Sequence, residues 1–172
     1  MLHCNPVERL VTIDSDDSPH WRIRLGIALV ALQFASIAAI AWPGSGGGWS
    51  WSGAALILAG ALLGLWTLSV NRPGNFNIRP EIKPSGKLVL TGPYRYVRHP
   101  MYSALLLLIS GIASFHTDRW RWLALAVLAA ALFAKTLLEE CALKLKFPEY
   151  ADYSRGVGRF IPRLSSLVAR QR

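Results

Sequence analysis

The first residues with chemical potential are a histidine and a tyrosine at the start of an apolar stretch. His99 and Tyr102 are three positions apart, just before and within the run 101–115, so a helix beginning there would place both on one face. The N-terminus of such a helix offers unpaired backbone N–H groups and a positive dipole end, which favour a carboxylate or phosphate. The junction therefore predicts a binding site for an anionic group. The alternative is that Arg98, His99 and Tyr102 only anchor the helix at a membrane interface.

A lysine and two glutamates form the second group. Lys135 lies inside an apolar run and Glu139 follows four residues later, so a helix would place them on the same face. A lysine at the centre of a membrane helix costs about 2.5–3.5 kcal/mol on insertion scales, and less near a helix end. A lysine that reaches the interface and pairs with Glu139 would explain these two charges. It leaves Glu140 as an additional carboxylate, and ionisable groups within a span indicate a functional site.

A third group, aromatic and basic, consists of Tyr150, Tyr153, Arg159 and Arg163. On composition alone these residues suit an amphipathic segment at a membrane surface. The sequence contains no Walker A motif, no G-x-G-x-x-G between a strand and a helix, and no H-E-x-x-H. Cys4 and Cys141 lack the spacing of metal ligands, so no metal site is predicted.

The elements that must position these groups follow from the segregation of charge. Only 17% of the 172 residues are charged, against roughly 25% in soluble domains. The runs 25–42 and 49–71 carry no charge over 18 and 23 residues, and a bilayer core needs about 20. Two shorter apolar runs follow, separated by a tight hairpin at 117–121. The sequence predicts an all-α integral membrane protein, a single domain with about four transmembrane helices.

The predicted boundaries are spans at 22–42, 50–70, 101–116 and 120–138. They leave an N-terminal tail at 1–20, a loop at 71–100 and a C-terminal segment at 139–172, and the fourth helix is expected to continue beyond the bilayer. A catalytic site would lie between the helix ends and the loop. None of the 19 basic residues lies between the first two spans, whereas six lie in the loop and seven after Glu140. The positive-inside rule then places both termini and the loop in the cytosol, with the protein in the cytoplasmic membrane.

The net charge of +9 is explained by this placement, and no nucleic-acid partner is predicted. Only Arg119 and Arg121 break the pattern, and Asp118 partly offsets them. Tryptophans cluster at the two non-cytosolic turns, as an interfacial aromatic belt would: Trp42, Trp49, Trp51, Trp120 and Trp122.

Four sequence blocks between residues 71 and 163 resemble the isoprenylcysteine carboxyl methyltransferase family and its phospholipid methyltransferase relatives. They are Leu-Val-Leu-Thr-Gly-Pro-Tyr at 88–94, Arg-His-Pro-Met-Tyr at 98–102, the Glu139–Glu140 pair with Leu143, Tyr150 and Tyr153, and Arg-Phe-Ile-Pro at 159–162. The resemblance implies an S-adenosylmethionine-dependent methyltransferase whose helices, loop and C-terminal helical tail form a non-Rossmann cofactor pocket. The cofactor would enter from the cytosol, and a lipid-like or prenylated substrate would enter from the bilayer among the membrane lipids.

Carried over by position, the resemblance also implies roles for single residues. The cofactor pocket would be lined by Leu88, Val89, Tyr94, His99, Pro100, Met101, Tyr102 and Glu139, with Arg79 at a further lining position. Lys135 falls where the family places a cation against the substrate carboxylate, and we assign Lys135 and Glu140 to the catalytic, substrate-facing side. A lysine cannot form the bidentate fork that an arginine makes with a carboxylate. Gly158 stands where relatives usually have proline.

The sequence leaves the methyl acceptor open. A carboxylate nucleophile needs a cation to orient it and a dry site, whereas an amine or a thiol must lose a proton, for which Glu140 or His99 is the candidate. Carboxyl O-methylation and phospholipid or amine N-methylation are therefore both retained. A non-catalytic membrane scaffold of the same fold is the alternative from another class, and a membrane reductase would need nicotinamide contacts that the sequence does not provide.

Overall fold

The computed structural model describes residues 20–44, 46–71 and 88–163. Within them the chain forms five α-helices and one 3₁₀ turn, in the order α1 His20–Ala41, α2 Trp51–Val70, the 3₁₀ turn Gly92–Arg95, α3 Pro100–Ala113, α4 Trp120–Lys146 and α5 Tyr150–Gly156. The N-terminal tail, most of the 71–100 loop with Arg79, and the end of the C-terminal segment lie outside the described residues. The described part contains no strand, only two isolated bridges, which confirms the all-α prediction.

Three of the helices are long and apolar enough to cross a membrane, namely α1, α2 and α4 with 22, 20 and 27 residues. The helix at the third predicted span, 101–116, is shorter than expected. α3 has 14 residues, or about 21 Å of helix against a hydrocarbon core of about 30 Å. It ends at Ala113 instead of 116 because the chain turns there and the Phe115 carbonyl accepts a bond from Gly48 N at 3.1 Å. That bond ties the two turns at this end of the bundle together.

α2 packs against α3, and α1 packs against α4. The first pair is close because glycines face the partner backbone: a Cβ on Gly60 would lie 2.8 Å from the carbonyl oxygen of Ala104, and one on Gly111 would lie 2.7 Å from that of Gly53. A core of buried apolar side chains joins the pairs: Ile40, Ile109, Ala113, Leu128 and Leu132. Large apolar side chains also cover the outer surface of α1, α2 and α4, including Phe34, Leu58, Leu62, Leu65 and Leu123, as lipid contact requires.

Arg121, one of the two basic residues that break the charge pattern, is fully buried. Its guanidinium donates to the carbonyls of Ile40 and Trp42, the latter at 2.8 Å, and its Nε lies 3.2 Å from Asp118 Oδ2. The side chain therefore satisfies carbonyls at the C-terminal end of α1 that have no partner within that helix. The charge of Arg121 is thus neutralised inside the protein. Its position on the non-cytosolic side therefore does not contradict the predicted orientation.

α4 continues to Lys146, beyond the predicted end of its span at 138, as expected for a helix that leaves the bilayer. Its last turns contact the start of α3. We call this the site end of the bundle. The five tryptophans of the predicted belt are exposed at the opposite end.

Candidate active site

The centre of the candidate site is the carboxylate of Glu139, on the last turns of α4. The Tyr102 hydroxyl donates to Glu139 Oε1 at 2.6 Å, and His99 Nδ1 lies 3.5 Å from Oε2. His99 occupies the N-cap position of α3 and Pro100 the first helical turn, which suits its fixed φ. The His99 and Tyr102 rings stack with centroids 5.7 Å apart. The predicted placement of these two side chains on one face is therefore observed, and that face points at Glu139.

Glu140, the next residue, is held by a cluster of cations. Arg159 forms a bidentate fork with it, with Nε and Nη2 each 2.8 Å from a different carboxylate oxygen. Arg98 Nη1 lies 3.2 Å from Oε2, and His99 Nε2 lies 3.2 Å from Oε1. Each oxygen thus has two nitrogen atoms within 3.2 Å, which occupies the roughly four acceptor positions of a carboxylate. This geometry favours a positioning role over the proton-accepting role that the sequence left open.

A short segment after α5 folds back onto the start of α3. We call residues 157–160 the strap. Arg98 N donates to the Gly158 carbonyl at 2.8 Å, His99 N to the Arg159 carbonyl at 3.1 Å, and Ser103 Oγ to the Phe160 carbonyl at 2.8 Å. The N–H groups before α3 therefore bind the chain itself. Two of the backbone N–H groups at the predicted anion site therefore already bind carbonyls of the strap.

Gly158 allows the strap to turn tightly, because a Cβ there would overlap the Ile161 carbonyl. We expect Gly158→Ala to displace the strap and to weaken both thermal stability and S-adenosylmethionine binding, measured by thermal unfolding and calorimetric titration in detergent. Gly156→Ala is the matched control, since nothing lies within 4 Å of a Cβ at that position. Equal behaviour of the two variants would contradict a structural role for the close turn.

Two tyrosines connect the remaining elements of the site end. Asn71, at the end of α2, donates from Nδ2 to the Tyr94 hydroxyl at 2.8 Å, and the Tyr153 hydroxyl donates to the Tyr94 carbonyl at 2.6 Å. Burial raises the pKa of both phenols, so they stay neutral donors at neutral pH. In the same cluster the hydrogen bond to Glu140 raises the pKa of Arg159, which keeps that fork charged.

Lys135 is buried, with 3% of its surface exposed, and its hydrogen bond goes to a partner other than the one that the sequence suggested. Its Nζ donates to Gln33 Oε1 on α1 at 2.9 Å and lies 5.3 Å from the centroid of the Tyr102 ring. Glu139 is engaged by Tyr102 and His99 instead. The expected i,i+4 ion pair is therefore replaced, among the described contacts, by an interhelical bond to α1.

The other predicted pocket residues line the same end of the bundle. Leu88 and Val89 are half-buried and lead into the 3₁₀ turn, Pro100 is buried and Met101 is half-buried. Two buried polar atoms have no hydrogen-bond partner among the described residues near Glu140, namely Arg98 Nε and the Tyr150 hydroxyl. In the described ranges no group of three or more His, Cys, Asp or Glu residues is arranged to hold a metal ion.

The sequence profile of one family, described as phospholipid methyltransferase, matches residues 49–149, which is more than half of the chain. The chain belongs to the phospholipid methyltransferase family. This confirms the predicted resemblance. The matched region of this family member runs from the start of α2 through α4, and so includes His99, Tyr102 and the glutamate pair but neither α1 nor the strap.

Two curated relatives are similar to this family member over most of its length. The nickel-cobalt-cadmium resistance protein NccN of Alcaligenes xylosoxydans xylosoxydans is 34% identical over 147 residues, covering 84% of this chain and 64% of the relative. The cobalt-zinc-cadmium resistance protein CzcN of Cupriavidus metallidurans is 32% identical over 151 residues, covering 84% of this chain and 63% of the relative. The chain thus spans slightly less than two thirds of each relative's length.

Sequence reasoning missed several residues of this family member's site. Gln33 and Asn71 lie where no motif was identified, and Arg98 and Arg159 were not assigned as the partners of Glu140. A signal was available for Gln33, since it is the one amide in the uncharged run 25–42. The additional carboxylate of Glu140 required cationic partners. The sequence did not indicate that these are Arg98 and Arg159, because both lie far from Glu140 along the chain.

Proposed function

We propose that this chain is an S-adenosylmethionine-dependent membrane methyltransferase that methylates a carboxylate on a lipophilic acceptor. The observation that carries the proposal is the half-buried pairing of Glu139 with Tyr102 and His99, with the buried cation Lys135 placed 5.3 Å from the Tyr102 ring. Membership of a methyltransferase family supplies the reaction class. When bound, the cofactor supplies a sulfonium methyl group, and the acceptor oxygen bonds to that carbon while the carbon–sulfur bond breaks and sulfur keeps the electron pair.

The residues present fit such a cofactor. Its ammonium and sulfonium are positive, and Glu139 offers a carboxylate to them. Its carboxylate needs donors, and Arg98 Nε and the Tyr150 hydroxyl are buried without a partner among the described residues. We assign Leu88, Val89, Tyr94, His99, Pro100, Met101 and Tyr102 to the rest of the pocket. Because methyl transfer is an in-line displacement, their contribution is positioning and charge placement.

The same contacts favour a carboxylate acceptor over an amine. Glu140 has its acceptor positions filled by Arg98, His99 and Arg159, and Glu139 already accepts from Tyr102. Neither is well placed to remove a proton from an ammonium. A carboxylate arrives deprotonated and is attracted by Lys135, whereas an ammonium is repelled by it. N-methylation of a phospholipid or another amine is the second candidate, favoured by the family's description.

We further propose the cytoplasmic membrane as the location, with both termini and the site end in the cytosol. The placement of basic residues around the long apolar helices supports this orientation. The acceptor would then reach the site from the bilayer and the cofactor from the cytosol.

The test is a calorimetric titration of the purified protein with S-adenosylmethionine in detergent, followed by transfer of a tritiated methyl group from the cofactor to a membrane extract. We expect saturable binding and a label that mild base releases as an ester. A base-stable label on an amine would replace the carboxylate assignment with the N-methylation alternative. Absence of cofactor binding at millimolar concentration would overturn the enzyme assignment in favour of a scaffold.

A further inference from the structure

The contact between Lys135 and Gln33 brings into the site a helix that carries no family motif. Gln33 lies on α1, outside the region matched by the family profile, and its amide oxygen accepts from Lys135 Nζ at 2.9 Å. Ser36 carries the other side-chain hydroxyl or amide in the uncharged run 25–42, and its described hydrogen bond goes to the Leu32 carbonyl of its own helix. Among the described side chains of α1, Gln33 is therefore the polar group that reaches the site.

The ammonium of Lys135 is only partly satisfied by this contact. A lysine has three N–H donors, and the described contacts supply one acceptor, on Gln33, and one aromatic face, on Tyr102. Lys135 is 97% buried on a membrane helix, where a charge without a hydrogen-bonded counter-charge is costly. Glu139 acts on it only through space, because the carboxylate oxygens of Glu139 face Tyr102 and His99. A neutral amide oxygen binds a cation less strongly than a carboxylate does. An anionic group would thus be a better partner for Lys135 than the one it has.

The subsite is also open to the membrane. Gln33 is half-buried, its neighbours Leu32 and Phe34 are exposed, and so are Phe133 and Leu137 beside Lys135 on α4. The amide therefore lies where the α1–α4 interface meets the surrounding lipid. An acceptor with an apolar tail could bring its headgroup to Lys135 along this interface.

We propose that Gln33 is a specificity-determining residue, whose amide holds Lys135 in place until the acceptor's carboxylate takes over its hydrogen bond. An acidic acceptor can replace the Gln33 amide with its own carboxylate at Lys135, whereas an amine cannot. The contact therefore selects acidic lipophilic acceptors against amines. This inference rests on the proposed methyltransferase function and adds to it a residue of α1.

The decisive variant is Gln33→Glu, which keeps the side-chain shape and places a built-in carboxylate against Lys135. We expect S-adenosylmethionine binding by calorimetry to remain unchanged. The amount of membrane extract needed for half-maximal methyl labelling should rise about tenfold or more, because the acceptor must now displace a charged competitor. Ser36→Ala, one turn along the same helix, is the matched control and should label as the unsubstituted protein does.

A second variant separates this effect from a general disturbance of α1. In a Lys135→Met background, Gln33→Glu should have no further effect on labelling, as expected when two residues act through one contact. Unchanged or faster labelling by Gln33→Glu with cofactor binding intact overturns the inference, as does an effect that persists without Lys135. A different outcome is that the unsubstituted protein binds no cofactor. That result would overturn the proposed function itself.

Discussion

Glu139→Gln is expected to weaken S-adenosylmethionine binding by about ten- to a hundredfold, since a buried hydrogen bond to a charged group contributes about 1.5–3 kcal/mol. The substitution keeps the size of the side chain and removes its charge. The Tyr102 hydroxyl, 2.6 Å from Oε1, can still donate to the amide oxygen. The loss of binding affinity therefore measures the contribution of the carboxylate charge that would contact the cofactor's positive groups. Calorimetric titration of the purified variant measures it.

Two further variants are the controls for Glu139→Gln. Tyr102→Phe removes the donor but leaves the carboxylate, and we expect it to weaken binding by less than Glu139→Gln does. Glu149→Gln changes an exposed glutamate at the start of α5 and should bind as the unsubstituted protein does. Binding by Glu139→Gln at full strength would place the cofactor elsewhere in the molecule.

Charge segregation was sufficient to predict most of the fold. The helices α1, α2 and α4 begin within two residues of the predicted spans because uncharged runs of about 20 residues have few alternatives in a bilayer. The end of α3 was wrong by three residues. No proline or charged residue within 111–116 marks a stop, and the turn depends on a backbone bond to Gly48, which lies more than sixty residues away along the chain.

The structure brings the predicted site residues to one end of the bundle, but the sequence did not predict their contacts. Spacing placed Lys135 and Glu139 on one face of α4, and that is correct for the helix taken alone. Successive residues of a helix differ by about 100°, so Glu139 faces α3 while Glu140 faces the strap. Lys135, one turn earlier on the Glu139 face, reaches α1. Which neighbour each side chain meets depends on the rotation of α4 within the bundle, and local sequence does not encode it.

Glu140→Ala is expected to lower the free energy of unfolding by about 3 kcal/mol, because it leaves buried cations without their counter-charge. The Arg98 side chain is only 9% exposed, and its Nη1 has Glu140 as its ion-pair partner at 3.2 Å. Arg159 is 24% exposed and can turn towards water, so most of the cost falls on Arg98. Unfolding in mixed micelles measures the loss. Asp152→Asn, which breaks an exposed ion pair with Arg155, should cost less than about 1 kcal/mol.

A double substitution decides whether Glu140 positions the site or takes part in the reaction. If its role is to hold the strap, Glu140→Gln combined with Arg159→Gln should recover the smaller part of the stability lost in Glu140→Gln alone, since an amide pair replaces the fork while Arg98 still lacks its counter-charge. Methyl transfer should then recover with stability. A variant that regains stability and cofactor binding but transfers no methyl group would instead make Glu140 the proton acceptor. That result would favour an amine as the acceptor, because a carboxylate has no proton for Glu140 to remove.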